Sequence, residues 1–378
     1  MSLAASGTQR YLAARASLRR VAYEASLHGE RLRQPKRRPC VVMFPSNQPW
    51  SSSSNLRAWL VAPELQRLGW RVVVVPEPLS LEQRLRILRL ERPDVIWLQQ
   101  TRHPLNQAHL YTPTPCILDA DDSDYLDPRH HEQVAKCAAD SAAVVGGSQF
   151  VAELLGRHNI HPHVLWTCTP TPRQPPQVAP EDRAPIVAWA HERPMLFPHE
   201  ASLMRGVMVE VCRRTPCTFW LFGSEPAEAD AWLQPIRDAG GECEAIPLMP
   251  YDAYLGKVAQ AAVGLQPVCL QNEFSRGRSF GKILAYLSGQ VAVVASDAVE
   301  HPKFFRSGQN GYLATDDIGQ WVEPVVRLCE DRALRRSIAL AGWCDFHEQL
   351  TTEVFARRLD PILRNVIDCY RVARGVSP

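Results

Sequence analysis

Two groups of charged residues stand out in this sequence by their type and spacing. The first is a basic loop with Arg276, Arg278 and Ser279, before a helix predicted to begin near Phe280, and Lys282 follows three residues after Ser279. Residues three apart share a helix face, and free backbone N–H groups, the helix dipole and guanidinium groups all favour a bound anion. The stretch therefore predicts a phosphate site. The alternative is a solvated basic loop in an ordinary loop–helix–strand unit.

The second group is acidic. Asp119, Asp121, Asp122 and Asp124 fall within six residues at the end of an apolar run. Such carboxylates repel one another strongly unless a cation or an array of hydroxyl groups offsets their charge. Three roles are open for this loop: it binds the hydroxyl groups of a sugar or acceptor, it holds a divalent metal, or it caps a helix.

Two further polar loops follow predicted strands. The loop Ser46–Ser54 contains Asn47 and precedes a helix that carries Arg57, and a later loop contains Arg102 and His103. Both loops are predicted to contact an acceptor. The alternatives are a flexible serine-rich linker in the first case and a surface histidine in the second.

The elements that must position these loops alternate regularly between strand and helix. The predicted strands are nearly continuous apolar runs, which is typical of parallel strands buried on both faces. They are Cys40–Pro45, Arg71–Pro76, Asp94–Gln99, Cys116–Ala120, Ala142–Val145, Val164–Thr167, Pro185–Ala190, Thr218–Gly223, Glu244–Leu248, Ala262–Pro267 and Val291–Ser296. The pattern predicts an α/β fold with doubly wound parallel sheets, in which ligands bind at the carboxyl ends of the strands.

Length and composition favour two globular domains. A chain of 378 residues exceeds one ordinary core, and 46% hydrophobic with 22% charged residues excludes a disordered protein. We predict a basic helical extension over 1–39, a first domain over 40–168, a proline-rich linker over 169–180 and a second domain over 181–342.

Charge and cysteine usage bound the surroundings of the protein. A net charge of +2 argues against nucleic acid as a partner, and 11 scattered cysteines fit a reducing cytoplasm. No run reaches the roughly 18 apolar residues of a membrane span. The basic extension 1–39 has two interpretations: a helix packed on the first domain, or weak attachment to the inner face of a membrane through anionic lipids.

The order of residues around the basic loop resembles a known family. Ser279, Lys282, Tyr286, Val293–Asp297 and Gly308–Leu313, after a strand that ends in Pro267, are similar to the C-terminal half of retaining glycosyltransferases with the GT-B fold. The similarity is closest to glycosyltransferase family four (glycosyl transferases group one). The sequence departs from that pattern at Ala285, where the family has a glutamate that binds the nucleotide ribose, and in the glycine-free loop His191–Glu200.

This resemblance implies two Rossmann-like, doubly wound domains that face each other across a cleft, with a C-terminal helix, 343–378, that returns to the first domain. It implies a hexosyltransferase-like enzyme of polysaccharide biosynthesis that retains the anomeric configuration of the transferred sugar. The donor would be a nucleoside-diphosphate sugar and the acceptor a glycan or a lipid-linked hydroxyl, with neither a cofactor nor a metal. The departure at Ala285 leaves an alternative, a degenerate relative that binds a phosphorylated ligand or partner without transfer.

The resemblance also distributes roles over the loops. His103, Asp121 and Asp122 are the candidate catalytic residues, and Asn47, Arg57 and Arg102 lie on the acceptor side. The donor diphosphate is assigned to Arg276, Arg278, Ser279 and Lys282. The donor nucleotide or sugar is assigned to His191, Arg193, Gly223, Leu248, Asn272, Glu273 and Phe280.

Overall fold

The computed structural model describes residues 38–49, 52–172 and 174–375, together with residues 18, 21, 22, 25 and 26. The predicted basic extension 1–39 therefore lies almost wholly outside the described residues. Within them the chain forms two parallel six-stranded sheets. The first contains β1 (Cys40–Phe44), β2 (Arg71–Val74), β3 (Val95–Gln99), β4 (Cys116–Ala120), β5 (Ala143–Gly146) and β6 (Pro162–Val164). The second contains β7 (Ile186–Ala190), β8 (Thr218–Phe222), β9 (Glu242–Ile246), β10 (Val263–Gln266), β11 (Ala292–Ser296) and β12 (Tyr312–Ala314).

The strand order shows that both sheets are doubly wound. The first sheet runs β2-β1-β3-β4-β5-β6, and the second runs β12-β11-β10-β7-β8-β9. In each sheet the chain starts near the middle, builds outward on one side and then continues on the other. The two points of reversal lie between β1 and β3 and between β7 and β10. In such sheets the crevice outside the carboxyl ends at this point is the usual place for a ligand.

Helices cover both faces of each sheet, which is why the inner strands are buried and largely apolar, whereas the edge strands β6 and β9 are partly exposed. The helices of the first half are Ala62–Arg67, Leu81–Glu91, His131–Asp140 and Gln149–Gly156. Those of the second half are Pro198–Arg214, Pro226–Asp238, Tyr251–Val258, Ile283–Ser288, His301–Phe304, Ile318–Glu330 and Arg332–Gln349, and the last helix is Thr352–Ala373. Among the described residues no helix combines the length and the apolar character needed to cross a membrane.

Three elements differ from the sequence prediction. The strand β9 is Glu242–Ile246 rather than Glu244–Leu248. The last strand of the first sheet is Pro162–Val164 rather than Val164–Thr167: the N–H of Leu165 still donates to the carbonyl of Gly146 at 2.9 Å, but the carbonyl of Leu165 accepts from the Arg57 side chain. The helix predicted after Ser54 is interrupted. A π-helical turn, Asn55–Trp59, comes first, and a separate α-helix then begins at Ala62 with Pro63 in its first turn, where a missing N–H group costs little.

The C-terminal crossing also lies later than predicted. Arg332–Gln349 is one uninterrupted helix, so the chain does not turn back at Trp343. It crosses at Leu350 and Thr351, where Thr351 forms a bridge with Thr169 of the linker region. The final helix then packs its apolar side into the core of the first sheet, through Phe355, Leu359, Leu363, Val366 and Ile367.

Candidate functional site

Three cationic or polar side chains meet at the reversal point of the second sheet. His191 follows β7, while Arg278 and Lys282 lie in the long loop after β10. The Arg278 guanidinium lies 3.6 Å from Glu200 Oε1 and 4.3 Å from the ring centre of Phe197. Burial lowers the pKa of both Arg278 and Lys282, because each cation is partly removed from water. We call His191, Arg278 and Lys282 the cationic cluster.

His191 is neutral within this cluster. Burial, together with the positive charges of Arg278 and Lys282, lowers the pKa of His191 to about 3. Its Nδ1 accepts the backbone N–H of Arg193 at 3.2 Å, so in the neutral ring Nε2 carries the hydrogen. The cluster therefore offers a guanidinium, an ammonium and an imidazole N–H, all of which are hydrogen-bond donors.

The helix that carries Lys282 begins later than predicted. Its first residue is Ile283 and it ends at Ser288, so Lys282 is the N-cap and not a residue one turn in. Phe280 is completely buried, with its ring edge-on to Trp166 at 4.9 Å and to Phe304 at 5.4 Å. Phe280 is thus a core residue in this structure. Ser279 Oγ is buried and has no hydrogen-bond partner among the described residues.

Arg276 lies apart from the cationic cluster. The turn Glu273–Gly277 rests on the first domain, where the Arg276 guanidinium stacks over the ring of Phe150 at 4.6 Å. The close approach depends on Gly277, because a Cβ at that position would lie only 1.8 Å from Ser123 Oγ. The two domains therefore touch directly beside the cluster.

The acidic loop of the first domain divides into a buried and a cleft-facing part. Asp119 is fully buried and accepts hydrogen bonds from Arg57, with Nε 2.9 Å from Oδ2. Arg57 also donates to the carbonyl of Leu165 at 2.9 Å and to Thr167 Oγ1 at 3.1 Å. Burial alone would lower the pKa of Arg57, but the Asp119 carboxylate outweighs it and the pKa is raised. Arg57, predicted as an acceptor-side residue, instead ties three segments of the first domain together.

Asp121 and Asp122 lie at the carboxyl end of β4. Gln100 Nε2 donates to Asp121 Oδ1 at 2.5 Å, and Arg102 donates to Asp122 Oδ2 at 2.6 Å and to Asp124 Oδ1 at 2.6 Å. Burial and the neighbouring charge of Asp122 raise the pKa of Asp121 to about 7. The negative charge of Asp122 also acts on Arg278 and Lys282, so the acidic loop faces the cationic cluster.

The groups that surround these carboxylates are guanidinium and amide donors, from Arg102 and Gln100. Among the residues that the structure describes, no three or more His, Cys, Asp or Glu side chains are placed to hold a metal ion together. Arg102 offsets two of the carboxylates, and the raised pKa of Asp121 relieves the remaining repulsion.

His103 lies away from Asp121 and Asp122. Its Nδ1 accepts the backbone N–H of Leu105 at 3.1 Å, and its Nε2 lies 3.8 Å from Glu77 Oε1 in the loop after β2. Burial and the nearby Arg84 guanidinium lower its pKa to about 4. The ring is therefore neutral and packed between loops, and its contacts are with Leu105 and Glu77 rather than with the two other candidate catalytic residues.

The remaining predicted residues occupy the rims of the cleft or hold its loops. Gly223 has a φ of 84°, and a Cβ there would lie 1.8 Å from the carbonyl oxygen of His191, so only glycine lets these loops meet. Leu248 is 63% exposed in the loop after β9. Asn272 Oδ1 accepts the N–H of Phe274 at 3.0 Å, and the N–H of Asn47 donates to Ser54 Oγ at 3.0 Å. Arg193 and Glu273 are both exposed.

Two residues of the site were not predicted from the sequence. Glu200 is buried at the start of the helix Pro198–Arg214 and accepts the N–H of Cys269 at 3.2 Å, so it links the loops after β7 and β10 beneath Arg278. Gln100 has a φ of 56°, which is unusual for a residue other than glycine, and this turns its amide toward Asp121. The available signal for Glu200 was an acidic residue at a helix start in a carboxyl-edge loop. The signal for Gln100 was its position in the polar segment that directly follows the strand with Trp97.

Comparisons with known proteins find likeness in structure alone. No family model matches the chain, and no curated protein matches its sequence. The solved structure of HepE from Anabaena in complex with UDP and glucose is similar to this chain, with a TM-score of 0.62 and 13% identity. The similarity covers 86% of this chain and 100% of that one. Sucrose-phosphate synthase from Thermosynechococcus elongatus has a TM-score of 0.66 at 13% identity, over 88% and 100% of the two chains. A glycosyltransferase from Rickettsia africae has a TM-score of 0.66 at 10% identity, over 88% and 99%. The predicted GT-B fold is thereby confirmed.

Proposed function

We propose that this protein is a glycosyltransferase that moves a sugar from a nucleoside-diphosphate sugar to a hydroxyl group of a glycan or lipid-linked acceptor. The observation that carries the proposal is the cationic cluster at the reversal point of the second sheet, directly opposite Asp121 and Asp122 of the first. A diphosphate needs such donors, and an acceptor hydroxyl needs hydrogen-bonding partners beside it. The similar structure of HepE is a complex with UDP and glucose, which supports this proposal.

In this proposal the cationic cluster stabilises the leaving group. As the bond between the anomeric carbon and the diphosphate oxygen breaks, negative charge builds on that oxygen. Arg278, Lys282 and the Nε2–H of His191 offset it in a partly dehydrated site, where electrostatic interactions are stronger than in water. Ser279 Oγ, which is buried and has no partner among the described residues, supplies a further hydrogen bond to a phosphate oxygen.

The acceptor side is assigned to the first domain. Asp122 and Gln100 position the acceptor hydroxyl, whose oxygen forms the new bond to the anomeric carbon. We propose that the acceptor proton passes to the leaving phosphate oxygen and that configuration is retained. Asp121 shares a hydrogen bond with Gln100 and has a pKa near 7, and Asp122 is paired with Arg102, so neither carboxylate is a free nucleophile.

Calorimetric titration with UDP, GDP, ADP and CDP tests the first half of this proposal. One of them should bind with a Kd in the micromolar range that weakens as salt is added. The second half is tested by following release of that nucleotide from its sugar conjugates, with and without glycan acceptors, and by NMR of the anomeric proton in the product. Binding without any release would indicate the non-catalytic alternative. No binding by any of the four would contradict the proposal.

A further inference from the structure

The hydroxyl of Tyr254 is unusual among the tyrosines around the cationic cluster. It is buried and has no hydrogen-bond partner in the described part of the chain. By contrast, the Tyr251 hydroxyl shares a hydrogen bond of 2.8 Å with Thr169 Oγ1, and the Tyr286 hydroxyl accepts the N–H of Ala190 at 2.8 Å. Leaving a buried hydroxyl unpaired costs free energy, and a bound ligand can recover that cost by forming a hydrogen bond with the Tyr254 hydroxyl.

Tyr254 lies at the carboxyl edge of the second sheet, next to the cluster. Its ring packs edge-on to Phe222, the last residue of β8, with ring centres 5.6 Å apart. Lys282 Nζ lies 6.0 Å from the Tyr254 ring centre. Ser224, two residues beyond Phe222, also has a buried hydroxyl without a partner among the described residues. Two unpaired hydroxyl groups therefore lie beside the end of β8.

The two sides of the cluster face different surroundings. Arg278 lies near Glu200, and the adjoining Gly277 touches Ser123 of the first domain. Transfer to an acceptor must take place where the two domains meet, so the sugar belongs on the Arg278 side. A diphosphate that spans Arg278 and Lys282 then directs its nucleoside toward Tyr254.

We propose that Tyr254 recognises the nucleoside of the donor by a hydrogen bond between its hydroxyl and a ribose hydroxyl, an assignment that rests on the proposed function. A neutral phenol both donates and accepts, as a ribose hydroxyl does, so either orientation of the bond is available. Burial raises the pKa of Tyr254, so the phenol stays neutral at physiological pH. Ala285, on the helix after Lys282, is buried and provides no polar side chain that could take this part.

The test compares Tyr254→Phe with Tyr251→Phe, a matched change on the same helix. Calorimetry would use whichever nucleoside diphosphate binds the wild-type protein, its 2′-deoxy and 3′-deoxy analogues, and pyrophosphate. Loss of one hydrogen bond predicts about tenfold weaker nucleoside-diphosphate binding in Tyr254→Phe and unchanged pyrophosphate binding. One deoxy analogue should bind wild type and Tyr254→Phe equally. Tyr251→Phe should keep wild-type affinities.

The outcomes separate this inference from the proposed function. Equal nucleoside-diphosphate affinity in wild type and Tyr254→Phe would overturn the ribose assignment alone, as would an equal loss for pyrophosphate. Absence of any nucleoside-diphosphate binding in the wild type would overturn both. The melting temperature provides a second readout: removing an unpaired buried hydroxyl should not lower it, whereas a purely structural hydroxyl would.

Discussion

At the scale of single residues, the site depends on charges that are held partly out of water. Lys282 and Arg278 have lowered pKa values because of burial, yet the Asp122 carboxylate across the cleft favours their charged forms. On the opposite side Asp121 carries a raised pKa next to Asp122. The two sides of the cleft are therefore electrostatically coupled before any ligand arrives, and each can be tested separately.

The first prediction concerns Lys282. Lys282→Ala should weaken binding of the nucleoside diphosphate by about 1.5–3 kcal/mol, roughly 10- to 150-fold, since a charge-assisted hydrogen bond to a phosphate oxygen is lost. Lys257→Ala is the control, because Lys257 belongs to the same domain but lies over the Trp220 ring at 3.9 Å. Calorimetry at low salt measures both variants. Unchanged affinity in Lys282→Ala would remove this lysine from the site.

The second prediction uses the raised pKa of Asp121. The folded state keeps a proton up to about pH 7, whereas the unfolded chain loses it near the ordinary value of 3.8. Between these values the folded state binds more protons, so this group destabilises the fold progressively as pH rises. Asp121→Asn should therefore raise the melting temperature more at pH 8 than at pH 5. Asp127→Asn is the control, since the Arg129 side chain lowers the pKa of Asp127 to about 2. The same gain at both pH values would refute the assigned protonation state.

At the scale of elements, continuous apolar strands made the fold predictable, and irregular loops limited the prediction of the site. The core of both sheets follows from strand runs such as Val41–Phe44, whose residues are completely buried. The pairing of Arg57 with Asp119 joins two residues that are 62 positions apart in the sequence, and no local pattern predicts it. The sequence likewise cannot tell that Arg276 stacks on Phe150 while Arg278 faces the cleft, because both are arginines of one loop.

The third prediction concerns the turn Glu273–Gly277. Gly277→Ala would place a methyl group 1.8 Å from Ser123 Oγ and 2.9 Å from Val151 Cγ2, so the turn must move off the first domain. We expect a loss of about 1–3 kcal/mol in stability, as for other overpacked sites, together with reduced sugar transfer. Thermal melts and turnover measure the two effects.

Gly256→Ala provides the matched control for this element. Nothing lies within 4 Å of a Cβ at Gly256, and the residue is within the helix Tyr251–Val258. Alanine there should stabilise the protein by about 0.5–1 kcal/mol through helix propensity. If Gly277→Ala were as well tolerated as Gly256→Ala, the turn would not be pressed against Ser123.

At the scale of the whole molecule, the domains are joined by a carboxylate as well as by the chain. Glu300, in the loop after β11, is buried and accepts the N–H of Gln149 at 2.9 Å and Trp166 Nε1–H at 2.8 Å, both from the first domain. A cavity of about 270 Å³ adjoins this contact.

The fourth prediction follows from the contact of Glu300 with the first domain. A nucleoside diphosphate that contacts both sides of the cleft should favour the closed arrangement, because a ligand shifts a conformational equilibrium by its differential affinity. Solution scattering should show a smaller radius of gyration at saturating nucleoside diphosphate. Glu300→Ala removes two partly buried hydrogen bonds between the domains and should broaden the distribution of distances without ligand. Identical scattering curves with and without ligand would indicate a rigid pair of domains.

The fifth prediction concerns the final helix, Thr352–Ala373. Phe355, Leu359, Leu363 and Ile367 are buried in the core of the first sheet, and Trp70 Nε1 donates to Asp360 at 2.6 Å. Four such side chains contribute about 6–12 kcal/mol, comparable with a whole domain's stability of about 5–15 kcal/mol. Deleting 352–378 should therefore unfold the first domain, as measured by proteolysis of residues 40–168. Deleting only 376–378 should leave the protein stable. Full protection of 40–168 in the longer deletion would contradict this account.

The returning helix has a consequence for how the protein is made. The first sheet emerges from the ribosome well before the helix that covers its face with Val41 and Trp97. At about 5–20 residues per second, the roughly 200 intervening residues take about 10–40 s to synthesise. During that time the nascent first domain exposes an apolar sheet face while the second domain can already fold. Chaperone contact should therefore concentrate on the first sheet, and that domain can close only after the helix Thr352–Ala373 has emerged.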